Sequence, residues 1–207
     1  MKYTLHCFAE SGNAYKAALM LNLCGADWEA QFVDFFNGGS KTEEYLALNE
    51  LGEVPVLEAG DLVLSQSGVI LDYLADTFEM FDSESVPEHR EIMRWMFFDN
   101  HKLTGNLSTL RYLRAFTENG DGEVANFLVG RVNNALKIVD NRLADKEFII
   151  GERPTIADVS MCGYMFFLDE AKVDTSLYPN VMAWLDRIKA LPNWSHPYDL
   201  MPKRDAE

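Results

Sequence analysis

Leu48-Asn49-Glu50-Leu51-Gly52-Glu53-Val54-Pro55-Val56-Leu57 leads, through Glu58-Ala59-Gly60-Asp61, into Leu62-Val63-Leu64-Ser65-Gln66-Ser67. Two short apolar runs on either side of Ala59-Gly60-Asp61 read as a β-hairpin, since glycine and aspartate suit the backbone that joins antiparallel strands. Proline at the start of the first run cannot donate to a ladder, so Pro55 belongs at an edge or in a turn. A cis Val54–Pro55 bond would turn the Val54 amide and carbonyl outward, as strand-like groups that an extended peptide can pair with. Ser65 reads as the cap of a helix on which Val69, Ile70, Tyr73 and Leu74 share one face. The amides of Gln66 and Ser67 then lie at a helix N-terminus, a place for a carboxylate. On these residues alone the plainer reading stays open: Pro55 a turn residue, Ser65 or Ser67 only a cap.

Upstream, Tyr3, Leu5 and Cys7 alternate with Thr4 and His6, which reads as a strand. Residues 13–24 are helix formers that stop at Gly25. Trp28 to Phe35 is a second strand candidate closed by Asn37-Gly38-Gly39, and Thr42 to Leu48 a short helix or turn. The order βαβα then ββα describes a four-stranded mixed sheet with helices against it, which is the thioredoxin-like order. Downstream, 81–86 is a polar linker and Pro87 is placed to open a helix. Glu88 to Phe116 reads as one long helix, bent near Gly105. Val124, Leu128, Val132, Leu136, Val139 and Leu143 keep helical spacing, and Pro179 to Ile188 gives an amphipathic helix. Ile156 to Leu168 is apolar on nearly every side and reads as a buried central helix. The expected fold class is therefore α/β plus all-α: a thioredoxin-like domain over 1–80, then a helical bundle domain over 87–207.

Composition narrows the function. The 207 residues are 48% hydrophobic and 25% charged, with a formal net charge of −15 and a pI near 4.6. Residues 1–80 carry 3 bases against 13 acids, so most of that charge sits in the first domain. A nucleic-acid binder needs basic groups to displace phosphate counterions, and an anionic membrane surface needs them too; neither partner is expected. No run of about 18 apolar residues is present to span a membrane. Cys7, Cys24 and Cys162 are too scattered for a disulfide framework or a metal site, which fits reduced thiols in a cytoplasm and no metal. Nucleophile-elbow, phosphate-loop and zinc-protease motifs are absent, and His6, His89, His101 and His196 sit apart.

Ser11-Gly12-Asn13 lies between the first strand and the first helix, where redox relatives of this fold carry a nucleophilic cysteine. Cys7 lies inside the strand instead, so disulfide exchange is not expected. A serine at the junction either donates a hydrogen bond to a ligand's sulfur or simply caps the helix.

These segments together resemble the cytosolic glutathione transferases of serine type, over nearly the whole chain. The carriers are residues 11–16, 48–57 and 64–74, together with Phe148-Ile149-Ile150-Gly151-Glu152-Arg153-Pro154-Thr155-Ile156-Ala157-Asp158. In the last of these Thr155 and Asp158 have capping-box spacing, with aspartate in place of glutamate. The resemblance implies that glutathione is the co-substrate, held through the Val54 backbone, the γ-glutamyl carboxylate on Gln66 and Ser67, and the glycyl carboxylate on Lys41. Lys41 is equally readable as a solvated surface lysine. Ser11 would contact the sulfur, with Asn13 sharing or replacing that role. Trp95, Phe98, His101, Lys102 and Tyr112 would line the pocket of a small apolar electrophile, although such a stripe also suits core or interface. A detoxifying homodimer follows from the same resemblance. Its rivals are a glutathione-dependent isomerase, dehalogenase or peroxidase, and a non-catalytic binding module. Glu50 and Glu53 depart from the family pattern by adding negative charge beside an anionic ligand, which implies weaker affinity or an unusual carboxylate partner.

Overall fold

The computed structural model describes residues 2–118 and 120–203; Met1, Asn119 and residues 204–207, which the expected domain spans include, lie outside the described residues. The chain divides into two compact units, Met1–Met80 with Leu191–Glu207, and Phe81–Ala190.

In the first unit, β1 (Tyr3–Cys7), α1 (Gly12–Leu23), β2 (Trp28–Phe32) and α2 (Glu43–Leu48) precede the hairpin β3 (Val56–Ala59) and β4 (Leu62–Ser65), then α3 (Ser67–Phe78). The strands lie in the order β2-β1-β3-β4. The β1–β2 pair is parallel and the others antiparallel, as a βαβ unit followed by a hairpin requires. Leu5, Cys7 and Leu57 of the central strands and Leu19, Ile70, Leu71 and Leu74 of α1 and α3 are buried. At about 25 cal/mol per Å² of apolar area, removal of such side chains from water is the main stabilising term. Cys7 and Cys24 are free thiols, and burial pushes them up to about 12 and about 11, so neither is a thiolate near neutral pH.

The second unit contains α4 (Val86–Phe98), α5 (Gly105–Phe116), α6 (Glu123–Arg142), α7 (Ile156–Cys162) and α8 (Pro179–Lys189). Ser85 caps α4, with Pro87 in its first turn. A π-helical stretch, Asp99–Thr104, joins α4 to α5, so the expected single helix is interrupted just before Gly105. The interruption surrounds a fully buried carboxylate: Asp99 accepts hydrogen bonds from the Thr104 and Ser160 hydroxyls, both at 2.7 Å. The central helix is shorter than its apolar run, because α7 ends at Cys162 and a 3-10 turn follows at Met165–Phe167.

Three expectations need correction. β2 stops at Phe32 rather than Phe35, because 3-10 turns begin at Phe35. The cap of α3 is Gln66, not Ser65, which ends β4. The helical unit stops at Ala190 rather than running to 207. The last segment returns to the first unit, where α9 (Pro197–Leu200) packs on α1. Tyr15 Oη donates to the Ser195 carbonyl at 2.9 Å and the Ala9 amide to the Pro202 carbonyl at 2.9 Å.

Candidate functional site

The register of the sheet gathers the candidate residues. Cys7 at the end of β1 pairs with Phe32 at the end of β2, and His6 pairs with Val56 at the start of β3. Val56 in turn pairs with Ser65 at the end of β4. The loops that leave these four ends therefore share one end of the sheet. They carry Ser11, Lys41, Val54, Gln66 and Ser67, five residues drawn from four separate segments of the sequence.

The 49–55 segment is held firmly. Asn49 Nδ2 and Tyr45 Oη donate to the Glu53 carbonyl at 2.8 and 2.9 Å. Lys41 Nζ donates to the Gly52 carbonyl at 2.9 Å and to that of Leu51 at 3.4 Å. Lys41 is thus an exposed but tethered ammonium rather than a freely moving surface lysine. Gly52 has φ +58, and a Cβ there would meet Lys41 Nζ at 2.6 Å and the Ser40 carbonyl at 2.8 Å. Gly52→Ala is expected to lose about 1–3 kcal/mol and to displace Lys41, measurable by denaturant unfolding beside the ligand affinity. Full stability with unchanged affinity would show that this turn does not organise Lys41.

The Val54–Pro55 bond is cis. Among the described residues the Val54 amide and carbonyl have no hydrogen-bond partner, so both are available to an extended ligand. At the α3 terminus the Val69 and Ile70 amides donate to the Gln66 carbonyl. Among the described residues the Ser67 and Gly68 amides have no partner, and the positive end of the helix dipole lies behind them. Gln66 adopts φ 69, and its side chain makes no cap bond; Nε2 donates to Glu53 Oε2 at 3.0 Å. That bond, between residues 13 apart, was not foreseen from the sequence.

Ser11 is buried at 5% exposure and caps α1, its Oγ accepting from the Ala14 amide at 3.1 Å. The cap uses an oxygen lone pair and leaves the hydroxyl proton to donate elsewhere. Asn13 stands two residues on, with a buried Oδ1 that finds no partner among the described residues.

The expected pocket residues do not converge. Trp95 is a packing residue, 4% exposed, its indole N–H bonded to Glu91 Oε1 at 3.1 Å and Arg94 and Arg142 stacked over its ring. The Arg94 hydrogen bond is the main reason the Glu91 carboxyl falls to about 2. Phe98 and Lys102 line a small pocket of about 170 Å³ within the helical unit, with Arg131, Ala135 and Ile138 opposite. His101 is exposed on the π stretch, and Tyr112, half-exposed, packs against Phe116 instead. Among the described residues no three His, Cys, Asp or Glu side chains gather as for a metal ion, and no helix is long and apolar enough to cross a membrane.

Comparison with known proteins identifies the family. The family model for the glutathione S-transferase N-terminal domain matches residues 1–76, and that for the C-terminal domain matches 105–192. Glutathione S-transferase F14 of Arabidopsis thaliana is 33% identical, over 98% of this chain and 88% of its own. A glutathione S-transferase from Pseudomonas fluorescens superposes with a TM-score of 0.90 at 32% identity, covering 95% of this chain and 99% of that one. Elongation factor 1-gamma 3 of rice (Oryza sativa subsp. japonica) is 27% identical over 94% of this chain but only 48% of its own.

Proposed function

Because the chain belongs to the glutathione S-transferase family, we propose that it binds glutathione at this end of the sheet and conjugates it, through its thiolate, to small, largely apolar electrophiles. The observation that carries the reading is the unpaired Val54 amide and carbonyl, flanked by the tethered Lys41 ammonium and the open amides of Ser67 and Gly68. These three features match the three parts of the tripeptide. Val54 pairs with the cysteinyl backbone as a strand would. Ser67 and the α3 terminus take the γ-glutamyl carboxylate, with Gln66 beside it, and Lys41 takes the glycyl carboxylate.

The chemistry asked of the protein is modest. A free thiol with pKa ~8.5 is only about 3% ionised at pH 7. Lowering it by about two units, equivalent to about 2.7 kcal/mol, makes it roughly 75% thiolate. The Ser11 hydroxyl donates to the charged sulfur, and Asn13 stands close enough in sequence to share the task. With the thiol proton released to solvent, the sulfur lone pair attacks an electrophilic carbon of the second substrate; the S–C bond forms as a leaving group departs with its bonding pair, or as a π pair shifts and takes up a proton. The buried protein thiols, with their raised pKa values, support assigning the nucleophile to glutathione.

The electrophile is assigned to the helical unit, where the pocket beside Phe98 and Lys102 offers an apolar wall and positive charge. A cytoplasmic, detoxifying role suits the free cysteines and such substrates. Homodimerisation is proposed through the exposed apolar residues of α3 and α4, Val69 and Phe97 among them.

Calorimetry with glutathione, followed by turnover of a panel of small electrophiles, tests the reading. No heat of binding would remove it. Binding without turnover of any electrophile would favour the non-catalytic module. Within the site, Ser67→Ala is expected to weaken glutathione binding about tenfold or more. A hydroxyl bonded to a charged group contributes about 1.5–3 kcal/mol. Unchanged affinity would take Ser67 out of the site.

A further inference from the structure

Glu53 is exposed, so nothing in the packing demands an acid there, yet its carboxylate is aimed with care. Its own carbonyl is pinned by Tyr45 and Asn49, and the preceding carbonyl by Lys41. With the backbone fixed on both sides, the side chain reaches across to Gln66, where Nε2 occupies Oε2 at 3.0 Å. Oε1 has no partner among the described residues. A negative charge therefore stands at the mouth of the α3 terminus, beside the open Ser67 and Gly68 amides that favour an anion. A protein carboxylate next to an anion site repels a purely anionic ligand. It does not repel one that brings a cation along with its carboxylate.

An α-amino acid group is such a ligand, with carboxylate and ammonium on one carbon. Resting on the function proposed above, we propose that Glu53 is a specificity-determining residue. Its Oε1 accepts a charge-assisted hydrogen bond from the α-ammonium of the γ-glutamyl end, while the α3 amides and Ser67 hold the carboxylate. Gln66 acts here as a positioning residue, fixing one oxygen of Glu53 so that the other faces the ligand. On this account the acid at position 53 selects against γ-glutamyl analogues whose amine is missing or acylated. The acid thereby becomes a recognition element for the zwitterion.

The test is calorimetric titration of the full chain and of Glu53→Gln with two probes: glutathione, and its deaminated analogue glutaryl-cysteinyl-glycine. The glutamine variant is nearly isosteric and lies at an exposed position, so the fold is expected to persist, with thermal unfolding as the check. The native chain is expected to prefer glutathione over the analogue by about tenfold or more, the worth of one charge-assisted bond. Glu53→Gln is expected to reduce that preference to about twofold or less, mainly by weakening glutathione. Glutathione binding with the same preference in both proteins would overturn the role of Glu53 and leave the proposed function standing. So would tighter glutathione binding by Glu53→Gln, the sign of simple repulsion. Failure of the native chain to bind either probe would overturn the proposed function, and the role of Glu53 with it.

Discussion

Asp158→Ala is expected to destabilise the helical unit by about 3–5 kcal/mol, the loss typical of breaking a buried charged network. The carboxylate is fully buried and is the shared acceptor for three segments. Oδ1 accepts from the Ile149 amide at 2.9 Å and from the Trp184 indole N–H at 3.0 Å. Oδ2 accepts from the Thr155 amide at 2.9 Å, closing the capping box of α7. Burial pushes the carboxyl up from its usual range, and these hydrogen bonds work against that shift. Alanine removes the acceptor and strands three buried N–H groups, each costing about 1–3 kcal/mol. Asp158→Asn should fall between, since its one carbonyl oxygen can still serve Ile149 and Trp184 while its amide nitrogen confronts the Thr155 N–H. Chemical denaturation followed by far-ultraviolet dichroism and Trp184-sensitive fluorescence measures both. A loss under about 1 kcal/mol for the alanine variant would mean that water or a neighbouring oxygen takes over the three donors.

The capping box was legible in the sequence because its residues lie three apart and its chemistry is local. The same holds for Ser85 and Pro87 opening α4, and for the alternation that marks β1 and the hairpin. The outward backbone of Val54 was legible because proline at 55 implies a backbone job, and Val54 has no hydrogen-bond partner among the described residues. What escaped was set by partners distant in sequence. The π stretch at Asp99–Thr104 follows from a buried carboxylate satisfied by Ser160, 61 residues away. The return of residues 191–203 to the first unit rests on bonds to Ala9, Tyr15 and Asn22 and on the burial of Pro197 and Met201, partners more than 170 residues away in a segment without hydrophobic period. Gln66 replaces Ser65 as the cap of α3 because its backbone is left-handed, a conformation that residue type does not announce for glutamine. Trp95 reads as apolar and helical, with core among its readings, but the Arg142 guanidinium that covers its ring at 5.2 Å belongs to another helix, α6. Glu53 looked like a departure that weakens binding; its contact with Gln66 assigns it a geometry that charge counting does not contain.

Ser11→Ala is expected to lower turnover near pH 7 by roughly 30-fold, the consequence of losing one charge-assisted hydrogen bond of about 2 kcal/mol. Glutathione affinity should change little, because Val54, Ser67 and Lys41 hold the rest of the tripeptide. The same 2 kcal/mol corresponds to about 1.5 pH units, so the thiolate titration of bound glutathione should move upward by that amount. The sign follows from the role: the hydroxyl favours the charged sulfur, and without it a more alkaline solution is needed to form the thiolate. The structure adds a complication, since the same oxygen caps α1 through Ala14. Alanine at an N-cap costs about 1 kcal/mol, whereas glycine costs only a few tenths. Ser11→Gly therefore separates the two tasks: stability close to native, turnover as low as in Ser11→Ala. Thiolate absorbance against pH, taken beside turnover for both variants, is the measurement. Two other results would redirect the argument. If turnover in the glycine variant recovers with stability, the serine is only a cap. If the titration stays unshifted in both variants, the sulfur contact passes to Asn13, whose carboxamide already stands half-buried with an unsatisfied oxygen.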